Sequence, residues 1–402
     1  MFPRLLPHAT RRNGRDLSLI LPLIFSLAAG CTQSGGSPRD GSSAYPPAPP
    51  LPIERTGHAA TLLPDGRVLI AGGVGDAVRH YDALYFDPDL NEWSKAGDIL
   101  GAAAPIEAAL TSDGQVVLVH SSDGFRGMLF ETFNPGTGAF SPSSHGIISS
   151  WGLYAVGPLA DGRVTVSGGY DLGPLPPQVL NLFWVYDPRT DLLLQDAGMS
   201  HARQRHTATL LPTGEIMIVG GFDRPDAVAR PPVGPCEIYD PRTHSLRLTA
   251  DLPTPTGDHA AVLLSDGRLL VAGGYRKAAT IDDAYVDRVA IFDPSQETWT
   301  VAAPLLERRA NAQAVSLRDG RVLMVGGVYS SAASGPVQPR ATEVYDPAYD
   351  AWTPGPTISV GRIAHTATAL DDGRVLVAGG ARWNGTTYIA TDSVDLLGPD
   401  FP

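Results

Sequence analysis

Asp319-Gly320-Arg321-Val322-Leu323-Met324-Val325-Gly326-Gly327 is followed 53 residues later by Asp372-Gly373-Arg374-Val375-Leu376-Val377-Ala378-Gly379-Gly380. The same phrase, a turn pair, an apolar run and a glycine pair, recurs along the chain. Its turn pair stands at Asp65-Gly66, Asp113-Gly114, Asp161-Gly162, Thr213-Gly214, Asp266-Gly267, Asp319-Gly320 and Asp372-Gly373, at intervals of 48, 48, 52, 53, 53 and 53. A second phrase, aromatic-Asp-Pro, keeps step at Asp87, Asp187, Asp240, Asp293 and Asp346, with Asn134 in the second copy and a looser version at Asp395. Six residues after each comes a large apolar residue: Trp93, Phe140, Leu193, Leu246, Trp299, Trp352 and Phe401. Seven copies in step define a repeat architecture.

Each phrase has a mechanical reason. Asp-Gly suits a tight hairpin with positive φ at both centres, joining an apolar strand such as 58–63 to a second, 68–71. The glycine pair lets the backbone bend where sheets crowd together. Tyr-Asp-Pro closes a third strand with a type I turn, and the large residue of the fourth packs between sheets. Four short strands per repeat make one blade of an all-β, seven-bladed β-propeller. The phrases resemble kelch repeats, and the resemblance covers residues 45–402. Blade two departs most, with Ser121-Ser122 at the glycine pair, and is expected to be the least regular. An Arg lies ten residues after the large residue in Trp299 to Arg309 and Trp352 to Arg362, and ten back from Arg55 is Tyr45. Leu51 then matches Leu305. The segment Tyr45–Glu54 is therefore expected to supply the outer strand of blade seven, although its five prolines suit only a sheet edge.

Composition narrows the function. With 44 Gly, 36 Pro, 18 % charged and 43 % hydrophobic residues, the chain is a turn-rich globular protein. A net charge of −12, made more negative by loss of residues 1–30, excludes a nucleic-acid partner, which needs a basic face. Residues 1–30 read as a leader: Arg4, Arg11, Arg12 and Arg15 precede an apolar run that is too short to span a bilayer and is broken by Pro22. Leu27-Ala28-Ala29-Gly30-Cys31 resembles the lipobox of bacterial lipoproteins, with Ala28 where Leu usually stands. The resemblance implies lipidation at Cys31, a flexible tether over 31–44 and a lipid-anchored place in the bacterial cell envelope, at the outer membrane or cell surface.

The chemistry of catalysis is sparse. The kelch fold includes a copper radical oxidase family resembling galactose oxidase, whose site needs a Cys–Tyr cross-link and a His directly after a Tyr. No Tyr-His dipeptide occurs here, and with Cys31 lipidated only Cys236 is left, which rules out a disulfide within the domain. Neither zinc nor calcium spacing is present, nor a nucleophile elbow or phosphate loop. No cofactor, metal or catalytic residue is expected.

What remains is a face. Arg55, Arg203, Arg309 and Arg362 stand ten before the turn residue, and His58, His206, His259 and His365 seven before it. These are read first as hydrogen-bonding to a neighbouring blade. The loops after the glycine pairs open on the same rim and carry Tyr170, Phe222, Tyr275, Tyr329 and Trp383. Flat apolar rings beside polar groups suit a protein or glycan ligand. Two functions follow. One is a monomeric, non-catalytic binding scaffold acting through this loop face; the other is a carbohydrate-active enzyme, mutarotase- or isomerase-like, using an Arg or His of the central mouth. Fold alone does not separate them.

Overall fold

The computed structural model describes residues 46–100, 103–121, 127–147, 152–171, 177–224 and 232–401. Seven antiparallel sheets form the blades, at 59–98, 103–147, 154–195, 207–249, 260–302, 313–357 and 366–397. In blade one the order from the centre outward is Ala59–Leu62, Val68–Ala71, Asp82–Asp87 and Glu92–Asp98. Blades one to six carry four strands each in this arrangement. Seven clusters of buried apolar side chains fill the seven blade interfaces. The second strand of blade one, Val68–Ala71, is wholly buried because it is covered by both neighbouring sheets. That burial is why its run is continuously apolar rather than alternating. The large residue of the fourth strand stacks on the aromatic of the third: Trp299 lies 5.1 Å from Phe292 and Trp352 5.0 Å from Tyr345, centroid to centroid.

The hairpin differs from the expected turn. Only the glycine has positive φ, +85° at Gly66, and its N–H donates to Leu63 O at 3.0 Å. Asp65 stays outside the left-handed region because its carboxylate accepts the Arg67 N–H at 3.1 Å. The result is a type I turn closed by a left-handed glycine, not a turn with both centres inverted. The glycine pair behaves as expected. A Cβ on Gly379 would lie 2.6 Å from Arg55 O, where the next blade's chain crosses.

Strand pairing also corrects two alignments. Val116 faces Phe133 as Val68 faces Phe86, so His120-Ser121, not Ser121-Ser122, stands at the glycine pair of blade two. Blade two is irregular in register, with bulges between Ala103 and Glu107 and between Leu129 and Glu131. Val377 faces Asp395 as Met324 faces Glu343, so Asp395 matches Glu343 and not the turn residue Asp346. Phe401 is buried in the cluster between blades six and seven instead of opening a fourth strand.

Blade seven has three strands in its main sheet among the described residues. The closing segment takes the expected place without becoming a strand. Leu51 N–H donates to Asp392 O at 2.8 Å, as Leu305 does to Asp287 O at 2.9 Å. The Trp93 indole donates to Pro49 O at 2.9 Å, as Trp299 does to Ala250 O and Trp352 to Ala303 O. The prolines explain the missing ladder: a proline has no N–H to give to a neighbouring strand. Tyr45 lies outside the described residues, as do Cys31, the leader and the tether.

Candidate functional site: the loop face

The repeated arginines are structural. Arg55, Arg203, Arg309 and Arg362 are 0–1 % exposed. Each sends Nη1 to the first glycine carbonyl of its own blade, at 3.1, 3.0, 3.1 and 3.2 Å. Each also pairs with a carboxylate of the third strand: Asp82 at 3.1 Å, Glu237 at 2.9 Å, Glu343 at 2.5 Å and Asp395 at 2.5 Å. The backbone carbonyl of the same arginine faces the other way. It accepts the second-glycine N–H of the preceding blade, Gly380 for Arg55 and Gly169, Gly274 and Gly327 for the others. One residue thus fastens two blades.

Two further blades show how the pair is lost or replaced. Blade five has Thr256 and Ala290 at the arginine and carboxylate positions, losing both. Blade two has Ala103 for the arginine but keeps Glu131. There His120, at the glycine position, brings Nε2 to 3.4 Å from Glu131 Oε2. The imidazole of His120 thus stands against the carboxylate that the guanidinium meets in blades four and six.

The histidines reach the adjacent blade through side chains. His58 Nε2 meets Thr366 Oγ1 at 3.0 Å, His206 meets Ser167 Oγ at 2.8 Å and His259 meets Thr207 Oγ1 at 2.9 Å. Burial first, then Arg55 and Arg203 respectively, pushes His58 and His206 down to about 3. His365 is pushed to about 3 by burial and then Arg362, and His259 by burial to about 4. All four are neutral wedges at neutral pH. The placement of these eight residues on a ligand-binding face is therefore corrected: they lie beneath the rim, taken up by contacts within the ring.

Above them, a girdle of backbone hydrogen bonds frames the central mouth. Asp258 N–H donates to Arg205 O, Asn311 N–H to Asp258 O, Arg205 N–H to Leu153 O and Gly57 N–H to Ala364 O. Arg205, Asp258, Asn311, Leu153 and Ala364 all hold φ between +49° and +58°, the left-handed turn that carries each chain into its inner strand. At this level Arg205 Nη1 contacts both Asp258 oxygens, at 3.1 and 3.0 Å.

The rim aromatics divide. Phe222 is 2 % exposed and packs on Gly257, so it supports the face and does not present itself; its expected place among ligand contacts is corrected. Phe222, Tyr275 and Tyr285 form a string, with centroids 6.2 and 5.2 Å apart. Trp383 meets Tyr388 edge-on at 5.1 Å. The Tyr285 hydroxyl is driven up by burial and then by the phenols of Tyr388 and Tyr275 and the Asp258 carboxylate. The Tyr388 hydroxyl is buried without a hydrogen-bond partner. Tyr170 pairs with Val179 in a separate two-residue hairpin of blade three. Sequence reading missed Tyr285 and Tyr388, because they come late in their loops and outside any repeated register.

Tyr329 belongs to a second feature, a polar groove of about 440 Å³ between the blade-five loop and the turn entering blade six. Arg276, Asp283, Tyr285, Leu306, Glu307 and Tyr329 are among its lining. Leu306 and Glu307 are pinned by their N–H groups to the Glu343 oxygens at 2.7 and 3.0 Å, so the buried Arg309–Glu343 pair sets this wall. The loops are also tied to one another. Asp282 Oδ1 accepts Ala332 N–H, Gln338 holds Ala381 O and Trp383 N–H, and Asp76 Oδ1 accepts Ala390 N–H. Blades five, six, seven and one thereby present a cross-braced surface. Among the described residues no group of three His, Cys, Asp or Glu side chains could hold a metal ion.

A family profile for the Kelch motif matches residues 258–306, which is blade five with its entering turn. Kelch-like protein 35 of Mus musculus is 30 % identical over 221 residues, 54 % of this chain and 33 % of its own length. Kelch-like protein 36 of Bos taurus is 27 % identical over 274 residues, 66 % of this chain and 42 % of its own. The chain thus spans about a third to two fifths of these curated relatives. The solved structure of YjhT superposes with a TM-score of 0.56 at 15 % identity, covering 87 % of this chain and 96 % of that one, and so shares the fold. With repeats, blade closure and these likenesses in agreement, the chain is a seven-bladed β-propeller of kelch repeats.

Proposed function

We propose that this propeller is a non-catalytic binding scaffold, lipid-anchored through Cys31 in the bacterial envelope, that takes a protein partner across its loop face. The observation that carries the reading is the bracing of four consecutive loops around half-buried rings and a polar groove. A surface already rigid loses little entropy on binding. The test is capture of partners from native envelope by the wild-type chain and by Trp383→Ala and Tyr275→Ala variants. Loss of the same bands in both variants supports the scaffold, and unchanged capture refutes the loop face. Anchoring is tested separately: Cys31→Ala should release the protein to the soluble fraction or block processing, and normal cleavage with membrane retention refutes it.

A second reading, a carbohydrate-active enzyme with a glycan ligand, is favoured by the Arg205–Asp258 pair beside Tyr275 and Tyr285 at the mouth. His206 and His365, which that reading would use, are bonded or enclosed within the ring and neutral.

A further inference from the structure

The charges of the groove between blades five and six are unequally spent. Arg308 is fully used: its guanidinium bonds the Asp282 carbonyl, lies 3.8 Å from the Asp282 carboxylate and sits 5.4 Å above the Tyr329 ring. Asp283 is held by Thr280, whose hydroxyl donates to its Oδ2 at 2.7 Å. Arg288 lies 3.6 Å from its neighbour Asp287. Two groups are spent less fully. Arg276 makes one long Nε bond to Asp283 O at 3.5 Å, and its terminal amino groups donate to no acceptor among the described residues. Glu307 is only partly engaged: the Tyr329 phenol reaches its carboxylate, and Arg309, 3.8 Å away, is already committed to Glu343 at 2.5 Å. A guanidinium with unspent amino groups thus comes from the blade-five loop, and a carboxylate whose one counter-charge is shared with Glu343 comes from the blade-six turn. Leu306, 57 % exposed, stands beside Glu307 as the apolar element of the same wall.

We infer that this groove receives a partner segment of paired charge, with one acidic side chain for Arg276, one basic side chain for Glu307 and an apolar residue between them against Leu306. The inference rests on the scaffold reading and names the chemistry of its partner. Charge pairing of this kind fixes the direction in which a segment lies, because reversing it sets like charges together. The volume of about 440 Å³ suits a few side chains rather than a folded domain.

The test uses the full chain and three blocked pentapeptides, Lys-Ala-Leu-Ala-Glu, Glu-Ala-Leu-Ala-Lys and Gln-Ala-Leu-Ala-Gln, with affinities from calorimetry at low salt. One charged order should bind at least tenfold more tightly than the neutral peptide. Arg276→Gln and Glu307→Gln should each remove most of that margin. The exchange Arg276→Glu with Glu307→Arg should transfer the preference to the opposite order, which a mere loss of folding does not produce. Equal binding of all three peptides, no binding up to millimolar concentration, or a preference unmoved by the exchange overturns the inference. If partner capture still depends on Trp383 and Tyr275 in that event, the scaffold reading stands while the paired-charge segment falls.

Discussion

Leu51 donates its backbone N–H to Asp392 O at 2.8 Å, joining the start of the ring to its last blade. Nearby, Gly380 N–H meets Arg55 O and Gly57 N–H meets Ala364 O, at 2.8 and 3.1 Å. Closure is therefore made by residues 51–57 through several bonds, though none belongs to a ladder. Deleting Tyr45–Glu54 should lower the thermal midpoint by several degrees and promote aggregation through the uncovered edge of blade seven. Deleting Thr32–Ala44 should leave the midpoint unchanged. Equal midpoints for the two truncations would show that this segment closes nothing.

The Arg203–Glu237 pair is fully buried, so removing one partner strands the other. Glu237→Gln should cost about 3–5 kcal/mol in denaturant unfolding. The double change Arg203→Thr with Glu237→Ala should cost less than the sum of the two single changes, because blade five already folds with Thr256 and Ala290 there. Strict additivity would contradict the pairing.

The repeat made the fold readable, since one phrase seven times over leaves few architectures. The arginine register was equally plain, but its purpose was not. Its carboxylate partner sits 27 residues on in blade one and 34 in blade four, at a distance set by variable loops. Tyr285 and Tyr388 were invisible for the same reason. Asp395 was misassigned because an acidic residue near a loose aromatic-Asp-Pro phrase could satisfy either of two positions, and only pairing with Val377 separates them. The proline segment was placed correctly by counting, while its lack of a ladder follows from its missing N–H groups.

Acid should weaken the ring. Unfolded histidines titrate near 6.5, whereas His58, His206 and His365 bind protons in the fold only near about 3, and His259 near about 4. Between those values the unfolded chain holds more protons, so stability falls as pH drops below 6.5. Urea midpoints should therefore fall from pH 7.5 to pH 5. A midpoint that rises on acidification over this range would contradict the neutral-wedge assignment.

The loop face and the opposite rim should separate in binding. At the opposite rim Arg67 is held by Asp65 at 2.6 Å and lies 3.9 Å above the Tyr85 ring, and Arg268 is held by Asp266 at 2.7 Å. Their charges are answered locally, so Arg67→Ala and Arg268→Ala should leave partner affinity unchanged. Trp383→Ala and Tyr275→Ala should each cost roughly 1–3 kcal/mol of binding if these rings are anchors. Phe222→Ala is the instructive contrast. Its ring is buried against Gly257 and Tyr275, so it should lose both thermal stability and binding, whereas Trp383→Ala should lose binding alone. Affinity by calorimetry and midpoints by scanning fluorimetry on the same preparations decide the matter. An enzyme would respond differently: Arg205→Met or Asp258→Asn would abolish turnover of a sugar while Trp383→Ala changed only its affinity. Binding that survives both Trp383→Ala and Tyr275→Ala in stable protein would move the partner site off this face.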